Sequence, residues 1–299
     1  MLLKVFQNKY IKFVIAKGDK NRPLSQTETK MREQYKYLDA FIDEKRADGK
    51  YSFTIDELRT QFSLTDEALK KALQRLKKQR KISMVRKEFY VIVPPEYSIK
   101  GIIPTSFYVN DLMKFLNRDY YVGLLNAAAL HGAAHQQPQT YSIITEGIPL
   151  RKIQNNKVNI VFYTKKIWNK EDVERKKVDT GYINISSPEL TALDLVSYYD
   201  AVGGFNRIAT IIEELKENMK ADKLMESAKQ YEQVVACQRL GYLLEYVLDD
   251  VELSNGLFNY LQNTDFYPTL LRPQKEKPDS MATGNRWKIV PNIEIEADI

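Results

Sequence analysis

The chain has 299 residues, 43% of them hydrophobic and 28% charged, with a formal charge of +6. That length accommodates two domains of ordinary size with a core in each, and that composition excludes an intrinsically disordered chain. No run approaches the roughly 18 apolar residues of a membrane span. Cys237 is the single cysteine, which excludes an internal disulfide framework and a cysteine-rich zinc site and makes a reducing cytosol the expected compartment.

Met1 to Phe6 begins like a signal peptide, but Lys9, Lys12 and Lys17 interrupt it before an apolar region forms, so no export signal is expected. Residues 1–29 otherwise suggest a strand or a basic amphipathic helix, then a loop from Gly18 to Thr27. They receive no function. Charge is uneven along the chain. Residues 1–100 hold 23 Lys and Arg against 13 Asp and Glu, a net of +10 that leaves −4 for the rest. A basic module joined to a mildly acidic one suits a DNA reader with a separate second function.

From Glu33 the pattern sharpens. Tyr37, Leu38, Phe41 and Ile42 follow helical spacing, and Gly49 closes that helix. Tyr51 to Phe53 is short and extended. Thr54 then caps a helix running to about Phe62, with Glu57 completing a capping box. Ser63-Leu64-Thr65 makes a tight turn, and Thr65 caps the next helix, whose first-turn Asp66 and Glu67 suit its positive end. Helix, three-residue turn, helix is the length pattern of a helix-turn-helix.

In the second of these helices Leu69, Ala72, Leu73 and Leu76 form one apolar stripe that must face a core. The opposite face presents Lys71, Gln74 and Lys78, flanked by Lys70, Arg75 and Lys77. Nine basic residues and no acidic one lie between Lys70 and Lys87. Such a face repels itself unless it meets a polyanion, and phosphates are the obvious partner because each one neutralised releases a condensed counterion. Ile82 to Val85 and Phe89 to Val93 then read as a hairpin with Arg86 and Lys87 at its tip, ended by Pro94-Pro95. The order of these elements predicts a winged helix-turn-helix over residues 1–98. Lys70, Lys71, Gln74, Arg75, Lys77, Lys78, Arg86 and Lys87 are its expected contacts with double-stranded DNA.

Residues 99–299 read as an α+β unit. A helix is expected from Asn110 or Asp111 to Leu116, and another from Tyr121 to His131, closed by Gly132. Strands are expected at Thr140–Thr145, Val158–Tyr163 and near Gly181–Ile185. Pro188 opens a helix capped by Ser186 or Ser187. Gly203-Gly204 precedes a helix over Ile208–Met219, Gln230–Leu248 is a longer helix, and Arg286–Val290 is extended. A small mixed sheet wrapped by helices is the economical arrangement.

Several constellations invite chemistry without supplying it. His131 and His135 have the spacing of a helical zinc pair, but no other histidine exists, Gly132 intervenes, and the glutamate of a metalloprotease is missing. A hydrogen-bonded His131 at a helix end is expected instead. Glu189 and Asp194, five apart, do not share a helical face, and the helix dipole accounts for Glu189. Glu213-Glu214 reads as a solvated face. Gly203-Gly204 lacks the Lys-Ser/Thr of a phosphate loop. Lys165, Lys166, Lys170, Arg175, Lys176 and Lys177 form a second basic cluster, diluted by Glu171, Asp172 and Glu174. It reads as a solvated loop or, more sharply, as a secondary surface for tRNA or bent DNA. No catalytic residue, metal or cofactor is expected.

Over most of residues 30–299, a winged helix ahead of the second unit included, the chain resembles the AbiE-type antitoxins of type IV toxin–antitoxin, or abortive-infection, systems of bacteria. The resemblance lies in Leu125 to Gly132, in Pro138 before the strand Tyr141–Thr145, and in Ser187-Pro188-Glu189-Leu190-Thr191-Ala192-Leu193-Asp194-Leu195. It continues through Gly203-Gly204, Ile208–Leu215 and Arg239-Leu240-Gly241-Tyr242-Leu243-Leu244. It implies a repressor that autoregulates its operon through inverted repeats, as a monomer or weak dimer. It also implies opposition to a nucleotidyltransferase-like toxin without a stable complex, in a phage-defence setting. Two other readings stand beside it: a ligand- or partner-responsive transcription regulator, and a nucleic-acid-processing enzyme such as a nuclease.

Overall fold

The computed structural model describes residues 26–134, 138–231, 233–273 and 283–296, the side chains from 37 onward. The readings made for residues 1–25 and for His135 lie outside these.

Helix α1 (Gln26–Ala47) leads to strand β1 (Ser52–Thr54), helix α2 (Ile55–Gln61) and helix α3 (Asp66–Lys78). Strands β2 (Ile82–Arg86) and β3 (Phe89–Ile92) follow as an antiparallel hairpin, and β1 pairs on the far side of β3. Both expected caps form, Thr54 Oγ1 accepting from Glu57 N at 3.2 Å and Thr65 Oγ1 from Ala68 N at 3.3 Å. The Glu57 carboxylate, however, bonds Lys45 at 2.9 Å rather than completing a capping box. Leu38, Phe41 and Ile42 of α1 close a core with Phe53, Leu58, Leu69, Leu73 and Leu76. Each fully buried leucine there contributes roughly 1.5–3 kcal/mol.

All four residues of β3 are buried, which a strand with one wet face cannot be. Tyr90 and Ile92 point into the core of α1–α3, whereas Phe89 and Val91 point into that of the following residues. The hairpin is thus shared by two cores. Ser52 Oγ adds a hydrogen bond to Asp111 Oδ2 at 2.6 Å across the same junction.

Helix α4 (Val109–Phe115), strand β4 (Tyr120–Val122) and helix α5 (Leu124–Leu130) come next. Strands β5 (Tyr141–Glu146), β6 (Ile153–Gln154), β7 (Asn159–Lys165), β8 (Val173–Val178) and β9 (Gly181–Ser186) complete a six-stranded sheet ordered β6-β7-β5-β4-β9-β8. It is mixed: β4–β9 and β5–β7 are parallel, the other pairs antiparallel. One face packs on α4 through Val122, Ile143, Ile160 and Ile185. The other, through Tyr121 and Ile144, packs on helices α6 (Pro188–Ser197), α7 (Tyr199–Val202), α8 (Phe205–Leu215), α9 (Ala221–Gln230), α10 (Val234–Tyr246) and α11 (Val251–Leu261). A parallel pair, β10 (Thr269–Leu270) with β11 (Ile289–Val290), closes the chain over α10.

Four expectations need correction. The helix expected from Tyr121 begins only at Leu124, because Tyr120-Tyr121-Val122 pairs in the middle of the sheet and Leu124 turns the chain at φ +55°. The helix expected from Gln230 to Leu248 runs only from Val234 to Tyr246: Gln230 ends the preceding helix α9, and Tyr231 leaves helical geometry between the two. The helix expected over Ile208–Met219 starts earlier, at Phe205, and tightens to a 3₁₀ turn after Leu215. Residues 173–178, expected as solvated loop, form the edge strand β8 in full register with β9. Charged side chains on a sheet edge discourage further pairing. They also conceal the strand from a hydrophobicity pattern.

Gly241 shows why one residue type occupies its position. A Cβ there would lie 2.0 Å from Cζ3 of Trp287, whose ring seals the core against α10. Trp287 Nε1 donates to Glu245 Oε2 at 2.7 Å, and its carbonyl accepts from Gln238 Nε2 at 2.8 Å, so the ring is held in place.

Candidate nucleic-acid interface

The core stripe of α3, Leu69, Ala72, Leu73 and Leu76, is buried, which turns the opposite face outward. Lys70, Lys71, Gln74, Lys77 and Lys78 are all exposed on it. Arg75 is apart from them. It is half-buried and its guanidinium donates to Asp39 Oδ2 of α1 at 2.8 Å, while Lys81 binds the other oxygen at 2.6 Å. Burial pushes the Asp39 carboxyl up, but the hydrogen bonds from Lys81 and Arg75 outweigh it and hold the group below the usual carboxylate range.

Arg59 braces the turn before α3, bridging Asp56 at 2.8 Å and Asp66 at 3.1 Å. The hairpin is tighter than its sequence suggests. Arg86 ends β2 half-buried, so the tip is Lys87-Glu88 alone, with Glu88 at φ +66° and Lys87 exposed. Exposed lysines on one helix face and a cation at a short hairpin tip can follow a phosphate backbone; Gln74, with donor and acceptor, can read a base edge.

A second group of charged residues lies inside the sheet–helix layer. Asp194 of α6 is fully buried. Its Oδ1 accepts from Lys165 at the end of β7 and from Tyr231 Oη at 2.8 Å, and its Oδ2 accepts from Tyr121 Oη at 2.8 Å. The Lys165 ammonium also sits over the Tyr231 ring, 4.2 Å from its centroid. Burial, together with the Asp194 charge, pushes both tyrosine hydroxyls well above their ordinary range, so they remain donors. Lys165 is therefore no part of a solvated cluster: its side chain is 10% exposed. Lys166, Lys170, Arg175 and Lys177 of that cluster are exposed, and Lys176 is half-buried.

Glu189 is also buried, beyond what a helix dipole requires, and accepts from Lys220 N at 2.9 Å where α9 begins. The two carboxylates thus have separate partners. The signal for Asp194 is visible in Leu193-Asp194-Leu195, a carboxylate inside an apolar helix. The signal for Lys165, Tyr121 and Tyr231 is absent, because their convergence depends on the sheet.

His131 ends α5, and its Nε2 lies 2.8 Å from the Ser186 carbonyl, which makes that nitrogen the protonated one. Among the described residues no three histidine, cysteine or carboxylate side chains gather as a metal site requires, and no helix is long and apolar enough to cross a membrane.

Residues 121–246 match the family model described as the AbiEi antitoxin C-terminal domain. No curated protein sequence matches the chain. The fold is similar to that of the RV2827C protein from Mycobacterium tuberculosis, with 16% identity, a TM-score of 0.56, and coverage of 83% of this chain and 89% of that one. An antigenic nucleotidyltransferase-like protein from Paracoccidioides brasiliensis aligns over 50% of this chain and 88% of its own at 12% identity. Its TM-score of 0.29 is too low for a shared fold. The matched segment runs from β4 to the end of α10 and contains the buried Asp194 cluster. Over residues 121–246, then, the chain is similar to the C-terminal domain of the AbiEi antitoxins.

Proposed function

We propose that the chain is a DNA-binding transcriptional repressor that serves as the antitoxin of a type IV toxin–antitoxin system and autoregulates its own operon. The observation that carries this reading is the outward face of α3, where four lysines and Gln74 are exposed together. In this reading residues 1–98 are a winged helix-turn-helix: α2 and α3 with their short turn are the helix-turn-helix, and β2–β3 is the wing. Residues 99–299 are the antitoxin unit, which opposes a nucleotidyltransferase-like toxin encoded alongside. The chain is assigned no catalytic role.

Lys71 and Gln74 lie at the centre of the face and contact base edges. Lys70, Lys77, Lys78 and the hairpin cations Arg86 and Lys87 hold the phosphates. Arg75 positions α3 through Asp39 and contributes less to DNA directly.

Fluorescence anisotropy with the DNA upstream of the protein's own gene tests the repressor half. Saturable binding that exceeds binding to unrelated duplex by about 10³-fold or more is expected. Equal affinity for both would remove sequence-specific repression. Co-expression with the adjacent gene tests the antitoxin half: growth should depend on residues 99–299, and a neighbouring product that is harmless alone would overturn it.

A further inference from the structure

We infer that the cavity beside the Asp194 cluster is a binding pocket for the guanine ring of a free nucleoside, with Lys165 donating to the ring carbonyl and Asp172 accepting from the neighbouring ring N–H and amino group. The cavity has a volume of about 200 Å³. Lys165 at the end of β7, Trp168 and Asp172 in the segment leading to β8, and Tyr198 and Tyr231 from the helical layer line it together. An apolar cavity of about 150 Å³ holds a benzene ring, so this one takes a single flat heterocycle and leaves the sugar at its mouth. The segment from β7 to β8 is fixed by its own hydrogen bonds. Asn169 Oδ1 accepts from Glu171 N at 3.1 Å, the Asp172 carbonyl accepts from Ser187 N at 2.8 Å, and Ser227 Oγ of α9 donates to Asp172 Oδ1 at 2.7 Å.

Two charged side chains on the lining have hydrogen-bonding capacity left over. An ammonium carries three N–H donors. That of Lys165, on a side chain 10% exposed, finds one acceptor among the described residues, Asp194 Oδ1, and otherwise faces the Tyr231 ring. Asp194 already balances its charge, so the donor capacity that remains suits a neutral carbonyl better than a second anion. Asp172 Oδ2 accepts from no described residue. Burial pushes that carboxyl up, and N–H donors from a ligand favour its charged form.

A carbonyl beside a ring N–H and an amino group is the base-pairing edge of guanine. Adenine would turn an amino group toward Lys165, uracil a second carbonyl toward Asp172, and cytosine has no ring N–H on that edge. Trp168, Tyr198 and Tyr231 supply aromatic contact for the ring. A base within a strand must first leave its stacked neighbours, whereas a free nucleoside has none to leave.

Equilibrium dialysis of the full chain against labelled guanosine tests the pocket. Saturable binding is expected, with a Kd on the order of 10–100 μM for a ligand of about 20 non-hydrogen atoms. Inosine, which lacks the amino group, should compete about 5-fold less well, and adenosine about 10-fold less well or worse. Asp172→Asn should bind guanosine about 10-fold or more weakly and prefer xanthosine, whose second carbonyl can accept from the carboxamide. A merely structural role for Asp172 predicts no such exchange. Tyr198→Leu removes one ring and should weaken guanosine about 5-fold or more, which keeps the pocket testable if Asp172→Asn fails to fold. No saturable binding up to about 1 mM, or adenosine competing as well as guanosine, overturns the pocket. Unchanged specificity in a folded Asp172→Asn variant does the same. A short single-stranded RNA with one guanine that displaces the label at lower concentration than guanosine overturns the free nucleoside in favour of a strand. The assay contains no duplex, so its failure leaves the DNA-binding reading untouched.

Discussion

Asp194 offers the sharpest perturbation of the antitoxin unit. The carboxylate is fully buried and satisfies three donors from three parts of the chain: Lys165 of β7, Tyr121 of β4 and Tyr231 between α9 and α10. Asp194→Ala leaves the ammonium of Lys165, whose side chain is 10% exposed, facing no counter-charge and two buried hydroxyls with no acceptor. Breaking a buried pair from one side costs about 3–5 kcal/mol, and each abandoned hydroxyl about 1–3 kcal/mol. Relaxation and water entry reduce the sum, so a loss of about 4–6 kcal/mol is the working figure.

Asp194→Asn with Lys165→Met removes both charges at nearly unchanged volume, and should recover about half of that loss or more. Urea unfolding followed by far-ultraviolet circular dichroism gives both values, and the double-mutant cycle gives the coupling. A single-site loss under about 1 kcal/mol, or a double variant as unstable as the sum of the singles, would refute the assignment of the cluster as a coupled ion pair.

Lys71→Ala and Gln74→Ala should each cost about 1–3 kcal/mol on the cognate sequence, whereas Arg86→Ala or Lys87→Ala should weaken binding to every sequence; gel shifts on matched cognate and random duplexes separate the two, and four variants binding like the parent would defeat the interface. The Asp39 clamp predicts an acid limb. Because the folded carboxyl titrates lower than the unfolded one, its stabilisation is present above the unfolded value of about 3.9 and is lost as pH falls through the lower folded value. Thermal melts of Asp39→Asn should show a flatter decline than the parent below about pH 4, and parallel curves would contradict this. Gly241→Ala places a methyl within 2.0 Å of the Trp287 ring, which Glu245 and Gln238 pin. A loss at the upper end of about 1–3 kcal/mol, with altered tryptophan emission, is expected; a neutral variant would mean the ring yields.

The basic module was legible because its signals are local. Thr54 and Thr65 cap helices three residues away, and the Leu69–Leu76 stripe recurs with the helical period, so burial of one face dictates exposure of the lysines opposite. What escaped depends on partners distant in sequence. Tyr120-Tyr121-Val122 joins an apolar run that reads equally well as helix until β5 and β9 flank it. The Val173–Val178 strand carries four charges in six residues, and only β9 makes it a strand. Lys165 reads as one lysine among many, yet it ends β7 directly beneath α6 and meets Asp194 there. Arg75 fits the cationic face by its helical position, but Asp39 of α1, 36 residues earlier, claims it.

Methylation interference on the DNA upstream of the protein's own gene puts the most direct question to the repressor reading. Guanine N7 faces the major groove and adenine N3 the minor groove. Seating of α3 in the major groove predicts that N7 methylation at a short cluster of guanines excludes the protein, and that Lys71→Ala/Gln74→Ala erases this pattern. Interference confined to adenine N3, or binding indifferent to methylation at every position, would contradict it.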